Sequence, residues 1–187
     1  MDAFSYLSVL LSIIVGLAIT QVLQGLRGLM LARSSATMYW PSLAWAIVLL
    51  VLDVQVWWAM YDLRLRQDWS FLGFSVLLAQ TVPLYLLAGL VLPDIVAGEP
   101  VDLRRHYYAN HRWFYTLLVL LLVISLGKSW MLHGALPRTL DTGFQLIFIA
   151  ASLLGAWTAR EWLHKALVIF SATLVAAYIA MLFAHLR

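Results

Sequence analysis

The sequence contains no cysteine, and charged residues make up only 11% of its 187 positions. The absence of cysteine excludes a disulfide-stabilised scaffold and any zinc or iron–sulfur site held by thiolates. A soluble domain normally carries about 25% charged residues, so the scarcity of charge excludes a soluble enzyme and a disordered tail. Motifs for a phosphate loop, a dinucleotide fold, a hydrolase nucleophile and a zinc protease are also missing. The class that remains is a membrane protein.

Apolar residues make up 64% of the chain and occur in long continuous runs. A helix needs about 20 apolar residues to cross a hydrocarbon core of about 30 Å. Runs of about this length occupy residues 7–31, 41–60, 71–92, 113–132, 142–158 and 166–186. The fifth run is the shortest of them. The sequence predicts an all-α, polytopic bundle of six transmembrane helices with short loops, forming a single domain over residues 1–187.

The distribution of Lys and Arg gives a prediction of orientation. Of the 12 basic residues, seven fall on one side of the six predicted spans and five on the other. The seven are Arg27, Arg33, Arg104, Arg105, Arg112, Arg160 and Lys165, and the five are Arg64, Arg66, Lys128, Arg138 and Arg187. Because cytoplasmic loops are enriched in Lys and Arg, this small excess places both termini outside the cytoplasm. We expect a multi-pass protein of the cell inner membrane.

The longest predicted loop ends in a basic and aromatic segment. Asp102 is placed to cap a helix, and Arg104, Arg105, His106 and Arg112 follow it. Asp is a preferred N-cap residue, and cations near a membrane surface are attracted by anionic headgroups. We therefore predict a short interfacial helix that runs into span four and contacts anionic lipid or a partner protein.

Asp53 is the one acidic residue in the middle of a predicted span. An intramembrane carboxyl group is costly, and is by default a candidate functional residue. Gln80 and Thr81 lie near the middle of span three, just before Pro83. Because a proline kinks a helix or frees a carbonyl about four residues earlier, this segment is a candidate partner for Asp53. The alternative interpretation is a purely structural hydrogen bond between helices.

Two further polar features accompany Asp53. Gln55 lies about 200° around the helix from it, so polar groups occur on opposite faces of span two, which we expect to be the central helix. In span one, Gln21 and Gln24 share a stripe with Gly25 and Gly28. Small residues allow helix backbones to approach, so the stripe indicates close packing, with a pore lining as the alternative.

The last two predicted spans and the histidines suggest partners. Alanine and glycine recur every four residues in both spans, a pattern typical of helix pairing inside the bundle or in a homo-oligomer. His111 and His133 flank span four, and His164 and His185 flank span six, which superficially resembles a di-haem arrangement. The histidines are about 33 Å apart along each helix, so we expect them at the membrane surfaces. Lys128 lies close enough to a span end to reach the surface with its ammonium group.

Together these features favour a non-enzymatic membrane protein with a permeation path or binding site for an ion, proton or small solute. The intramembrane polar site comprises Asp53, Gln80, Thr81, Gln21, Gln24 and Gln55. The alternatives are a non-catalytic scaffold or subunit that binds lipid or a partner, and haem- or quinone-dependent electron transfer. The expected partners are the lipid bilayer, anionic lipid and further copies of the chain. No cofactor, metal or nucleic acid is expected.

Overall fold

The computed structural model describes residues 3–65, 69–95, 100–133 and 140–185. Its helices are α1 (Ala3–Leu31), α2 (Trp40–Ala59), α3 (Phe71–Val91), α4 (Leu103–His133), α5 (Leu140–Trp157) and α6 (Glu161–His185). A short 3-10 helix, Tyr61–Leu65, follows α2. Each α-helix occupies one of the predicted spans, so the all-α helical bundle is confirmed. Arg66, Arg138 and Arg187, which entered the charge count, lie outside the described residues.

Five of these helices are long and apolar enough to cross a membrane. The apolar part of α5, Thr142–Trp157, is shorter than the other five, as its sequence run predicted. Large apolar side chains cover the outer surface of the bundle, including Ile13, Ile47, Phe71, Leu154 and Ile169. A soluble monomer rarely exposes so much contiguous apolar surface. The molecule is therefore an integral membrane protein with several membrane-spanning helices.

The helices form a closed ring around an interior space. In order around the ring they are α1, α3, α4, α5, α6 and α2, and α2 also contacts α3 and α4. Helix α2 thus contacts four of the other five helices, which agrees with its expected central position. Its buried residues include Trp45, whose ring packs against Phe114 and Tyr115 of α4.

Three loops meet at one end of the ring, here called the basic end. A parallel pair of two-residue strands, β1 (Ala36–Thr37) and β2 (Val101–Asp102), joins the α1–α2 connection to the α3–α4 connection. Arg104 on α4 forms a salt bridge of 2.7 Å with Glu161, at the start of α6. All odd-numbered helices therefore run towards this end, as an antiparallel series of spans requires.

The segment before predicted span four is helical and is continuous with that span. The backbone N–H of Arg105 donates to Oδ1 of Asp102 at 3.0 Å, which confirms the predicted cap. From Leu103 the helix continues without interruption to His133, a length of 31 residues. The helix runs into span four as predicted, because nothing breaks it between the basic segment and the apolar one; its position at the membrane interface stays a prediction.

Two glycines permit the closest helix contacts. A Cβ atom at Gly25 on α1 would lie 2.8 Å from the Leu92 side chain, so the backbone must approach closely there. At Gly155 on α5, a Cβ atom would lie 2.6 Å from the Tyr115 ring of α4. The close packing predicted for the Gly25 stripe and for the ridge of α5 is confirmed.

Candidate functional site: an interior cavity with a lysine

An interior cavity of about 620 Å³ lies between five of the six helices. Its lining comes from the C-terminal halves of α2, α4 and α6, the N-terminal half of α5, and Gln80 of α3. The polar lining residues are Gln55, Gln80, Ser125, Lys128, Ser129, Thr142, Gln145 and Tyr178. The apolar ones are Leu52, Val56, Ala59, Leu118, Leu121, Leu122, Phe144, Phe148, Leu174 and Val175. A pocket of this size, mostly apolar with a few converging polar groups, is typical of small-molecule sites.

Lys128 provides the positive charge of this cavity. Its ammonium group donates to Oε1 of Gln80 at 2.8 Å, which links α4 to α3. The sequence prediction that Lys128 reaches the membrane surface is therefore wrong, because the side chain turns into the bundle. Gln80 is a neutral acceptor, and no acidic side chain forms a salt bridge with Lys128 among the described residues. The lysine charge thus faces the cavity without a counter-ion from the described part of the chain.

Gln145 offers the cavity a second recognition group. Its Oε1 atom is buried and has no hydrogen-bond partner in the described part of the structure. Buried amide oxygens are normally paired, because an unpaired one costs about 1–3 kcal/mol. Lys128 can therefore hold an anionic group, while Gln145 can accept a hydrogen bond from a donor on the same molecule.

Asp53 forms no hydrogen bond with the residues predicted to surround it. The side chain is 1% exposed, and neither carboxyl oxygen has a hydrogen-bond partner among the described residues. Gln80 contacts Lys128 instead, and the Thr81 hydroxyl donates to the carbonyl of Leu78 within its own helix. The predicted Asp53–Gln80–Thr81 contact is therefore not formed. Helix α3 continues past Pro83, which is itself buried.

The polar stripe of α1 faces a second site at the basic end. Nε2 of Gln21 donates to the Tyr85 hydroxyl at 3.0 Å, joining α1 to α3. Gln24 lines a groove of about 670 Å³ together with Arg27 and Asp94. The groove and the Lys128 cavity have no lining residue in common. The structure thus divides the predicted polar site into three parts. Gln21 and Gln24 line the groove at the basic end, and Gln55 and Gln80 line the Lys128 cavity. Asp53 lines neither.

The predicted lipid-contacting residues differ in their surroundings. Arg105 and Arg112 are exposed, and Arg104 is exposed in its salt bridge with Glu161. His106 is half-buried, and its Nε2 atom lies 3.0 Å from the carbonyl oxygen of Leu90 on α3. The three arginines are accessible at the basic end, whereas His106 contacts protein.

His111 and His164 lie in a buried aromatic cluster between the cavity and the basic end. Nε2 of His164 lies 2.6 Å from the carbonyl oxygen of Thr158, which can only accept, so Nε2 carries a proton. In the uncharged ring, Nδ1 then accepts from the Tyr107 hydroxyl at 3.0 Å, and Tyr107 accepts from Tyr115 at 2.9 Å.

The cluster argues against the haem alternative. The rings of His111 and His164 are perpendicular, with centroids 5.4 Å apart, and Nδ1 of His111 bonds the Tyr108 carbonyl at 2.7 Å. Direct ring contact leaves no room for a porphyrin between them. Both histidines are also buried in protein. Within the described residues there is no group of three or more His, Cys, Asp or Glu side chains suited to a metal ion. The side chains of His133 and His185 lie outside the described part.

Sequence reasoning missed Lys128 and Gln145 as site residues. A signal for Lys128 was present, since Ser125, Lys128 and Ser129 occur at helical spacing within an otherwise apolar run. Gln145 had the weaker signal of an isolated amide near the start of a short span. Their convergence depends on the order of the helices around the ring, which no local pattern indicates.

No family model, curated protein or solved structure matches this chain. The fold and the cavity alone therefore define its class, a multi-pass helical membrane protein with an interior polar site.

Proposed function

We propose that this membrane protein binds a small amphipathic anion in the interior cavity, with Lys128 as the counter-charge. The observation that carries the proposal is the position of the Lys128 ammonium group, which lines the cavity and bonds only a neutral amide among the contacts described for it. A buried charge is costly unless it is paired. An anion that entered the cavity would relieve this cost, and its binding would be favoured over that of a neutral molecule.

The apolar lining defines the rest of the ligand. Leu118, Leu121 and Phe148 are buried and line the part of the cavity farthest from its polar end. Such a surface suits a hydrocarbon or aromatic body, since each buried methylene group contributes about 0.8 kcal/mol. The ligand class is thus a carboxylate, sulfonate or phosphate with an apolar tail.

A binding site is better supported than an open permeation path. Trp45 and Tyr115 are at most 1% exposed and lie nearer the basic end along α2 and α4 than the cavity-lining residues of those helices. Trp45 packs against the Phe114 and Tyr115 rings, with centroid distances of 5.1 and 5.8 Å. This layer separates the two ends of the bundle, so passage of a solute would require the layer to move.

We also propose the membrane in which the protein lies, its orientation and its mode of self-association. We place the protein in the inner membrane with both termini outside the cytoplasm, which the cluster of basic residues at one end supports. Arg104, Arg105 and Arg112 would then contact anionic lipid on the cytoplasmic face. Self-association would use the exposed Ala176 and Ala180 ridge of α6.

Thermal unfolding in lipid nanodiscs tests the binding proposal with three probes of equal chain length. We expect dodecanoate to raise the unfolding temperature of the wild type, because a ligand that binds only the folded state stabilises it by mass action. Dodecanol and dodecyltrimethylammonium should have smaller effects. Lys128→Met should abolish the preference for dodecanoate, and Lys165→Met, which removes an exposed cation, should retain it.

Equal stabilisation by all three probes, or an unchanged preference in Lys128→Met, would contradict the proposal. Absence of any stabilisation, together with a partner that co-purifies in stoichiometric amounts, would favour the scaffold alternative.

A further inference from the structure

The groove at the basic end carries two opposite charges. Arg27 of α1 and Asp94, which follows α3, both line this groove. The residues after them in the sequence are in close contact, since a Cβ atom at Gly28 would lie 3.0 Å from the Ile95 side chain. Neither Arg27 nor Asp94 forms a salt bridge within the described part of the chain. The groove thus offers one cation and one anion that do not pair with each other.

The groove lies where the helices leave the hydrocarbon core of the membrane. Helix α1 has 29 residues, or about 43 Å at 1.5 Å per residue, so it is longer than a core of about 30 Å. Arg27 is near the C-terminal end of α1, Asp94 lies beyond the end of α3 at Val91, and both charged side chains are exposed. The two charges are therefore at the level of the lipid headgroups.

An apolar outer surface continues from the groove towards the middle of the membrane. Gly89 lines the groove and lies on the same face of α3 as Leu86 and Val82. Both of these larger side chains are exposed. A molecule whose polar part occupies the groove can therefore extend hydrocarbon chains along this face. This combination of a polar groove and an apolar continuation fits a phospholipid.

The two charges select among headgroups. A guanidinium group binds phosphate through two parallel N–H donors, and a carboxylate accepts hydrogen bonds from an ammonium group. Phosphatidylethanolamine carries both complementary charges, separated by two carbon atoms. Phosphatidylcholine has no N–H on its quaternary nitrogen to donate to Asp94, and phosphatidylglycerol has no cation.

We propose that this groove is a binding site for phosphatidylethanolamine, with the phosphate on Arg27 and the ammonium group on Asp94. Gln24 also lines the groove, one helical turn deeper than Arg27, and its exposed amide can donate to the ester oxygens of the lipid. The groove shares no lining residue with the Lys128 cavity, so this inference does not depend on the binding of an anion there.

Native mass spectrometry of the delipidated protein tests the assignment with three dioleoyl lipids, the ethanolamine, choline and glycerol forms. We expect one phosphatidylethanolamine to bind severalfold more tightly than either other lipid. Asp94→Asn should reduce its affinity to that of phosphatidylcholine. Arg27→Gln should weaken both lipids severalfold, because both contact it through phosphate. Arg105→Gln, which removes an exposed cation outside the groove, should retain the wild-type preference.

A second variant tests the groove by filling it. No atom lies within 4 Å of the Cβ position at Gly89 or at Gly127 of α4, so a side chain can be added at either. Gly89→Leu should abolish the preference for phosphatidylethanolamine, and Gly127→Leu, outside the groove, should retain it.

Three results would overturn the proposal: equal affinities of the wild type for the three lipids, an unchanged preference in Asp94→Asn, or wild-type binding by Gly89→Leu. Because Asp94 is exposed, Asp94→Asn tests the site even where Gly89→Leu does not fold.

Discussion

The ammonium group of Lys128 lies 2.8 Å from the amide oxygen of Gln80 and joins α4 to α3 at the polar end of the interior cavity. The two residues are 48 positions apart in the chain, so the contact exists only when the third and fourth helices are packed. It holds the lysine stem inside the bundle and presents its charge to the cavity.

A double-mutant cycle measures the energy of this contact. Gln80→Leu should reduce the free energy of unfolding, because it removes the acceptor and leaves the Lys128 charge without a partner. Interhelical hydrogen bonds in membrane proteins average about 0.6 kcal/mol with a maximum near 1.7, and charged donors lie at the upper end, so we expect about 1–2 kcal/mol. The Gln80→Leu/Lys128→Met double variant should recover part of this loss. Strictly additive losses would show that the two side chains are not coupled.

Gly155 provides a test of the α4–α5 contact. Gly155→Ala should destabilise the protein by about 1–3 kcal/mol, because the added Cβ atom would lie 2.6 Å from the Tyr115 ring and must displace it. Gly143→Ala is the matched control on the same helix, since no atom lies within 4 Å of the Cβ position there. Unfolding in mixed micelles compares the two. Similar stabilities for both variants would mean that α5 does not approach α4 as closely as described.

In the aromatic cluster, we expect Tyr107→Phe to destabilise the protein more than Tyr115→Phe. Tyr107→Phe should cost about 1–3 kcal/mol, because the Tyr107 hydroxyl lies between His164 and Tyr115 and both would lose a partner. Tyr115→Phe removes only the last hydroxyl of this hydrogen-bond chain. We expect it to reduce the free energy of unfolding by about 0.5–1.5 kcal/mol. Denaturant unfolding of the two variants under the same conditions shows which loses more free energy of unfolding. A larger loss in Tyr115→Phe would contradict the hydrogen-bond chain.

Alkaline pH should weaken the bundle through Tyr39. Burial and the neighbouring Tyr108 hydroxyl, 3.1 Å away, raise the pKa of Tyr39 above its usual range. In the unfolded chain the phenol loses its proton near pH 10. The folded state therefore binds more protons above that pH, and the free energy of unfolding falls as the pH rises.

Unfolding curves from about pH 8 to about pH 11 check this effect of Tyr39. Tyr39→Phe should reduce the slope of stability against pH, whereas Tyr6→Phe, which changes a side chain that is 74% exposed, should keep the slope of the wild type. Parallel curves for wild type and Tyr39→Phe would contradict the role of this group.

Local patterns in the sequence predicted the helices well. Continuous apolar runs determine where a chain can cross lipid, and capping chemistry placed the start of α4 at Asp102. The helix predicted over the basic segment runs into span four, because no helix-breaking residue lies between them. A change from polar to apolar side chains along a helix need not interrupt the backbone.

The functional site was less predictable, because it depends on which helices are neighbours. Similar depth in the membrane pairs Asp53 with Gln80, but Gln80 bonds Lys128 of the adjacent helix α4 instead. Depth in the membrane can be estimated from sequence position, whereas the direction of a side chain around the bundle cannot. Lys128 was interpreted as a surface residue for the same reason, since a long side chain near a helix end can point either outwards or into an interior cavity.

Equilibrium binding of radiolabelled dodecanoate to the protein in nanodiscs tests the central claim most directly. The account predicts saturable binding at one site per chain, with competition by unlabelled dodecanoate and weaker competition by dodecanol. Lys128→Met should weaken the affinity by about tenfold or more, since a lost charge pairing of about 1.4 kcal/mol corresponds to a factor of ten. Lys165→Met should bind like the wild type. Binding that is unsaturable, or equally tight in Lys128→Met, would contradict the account.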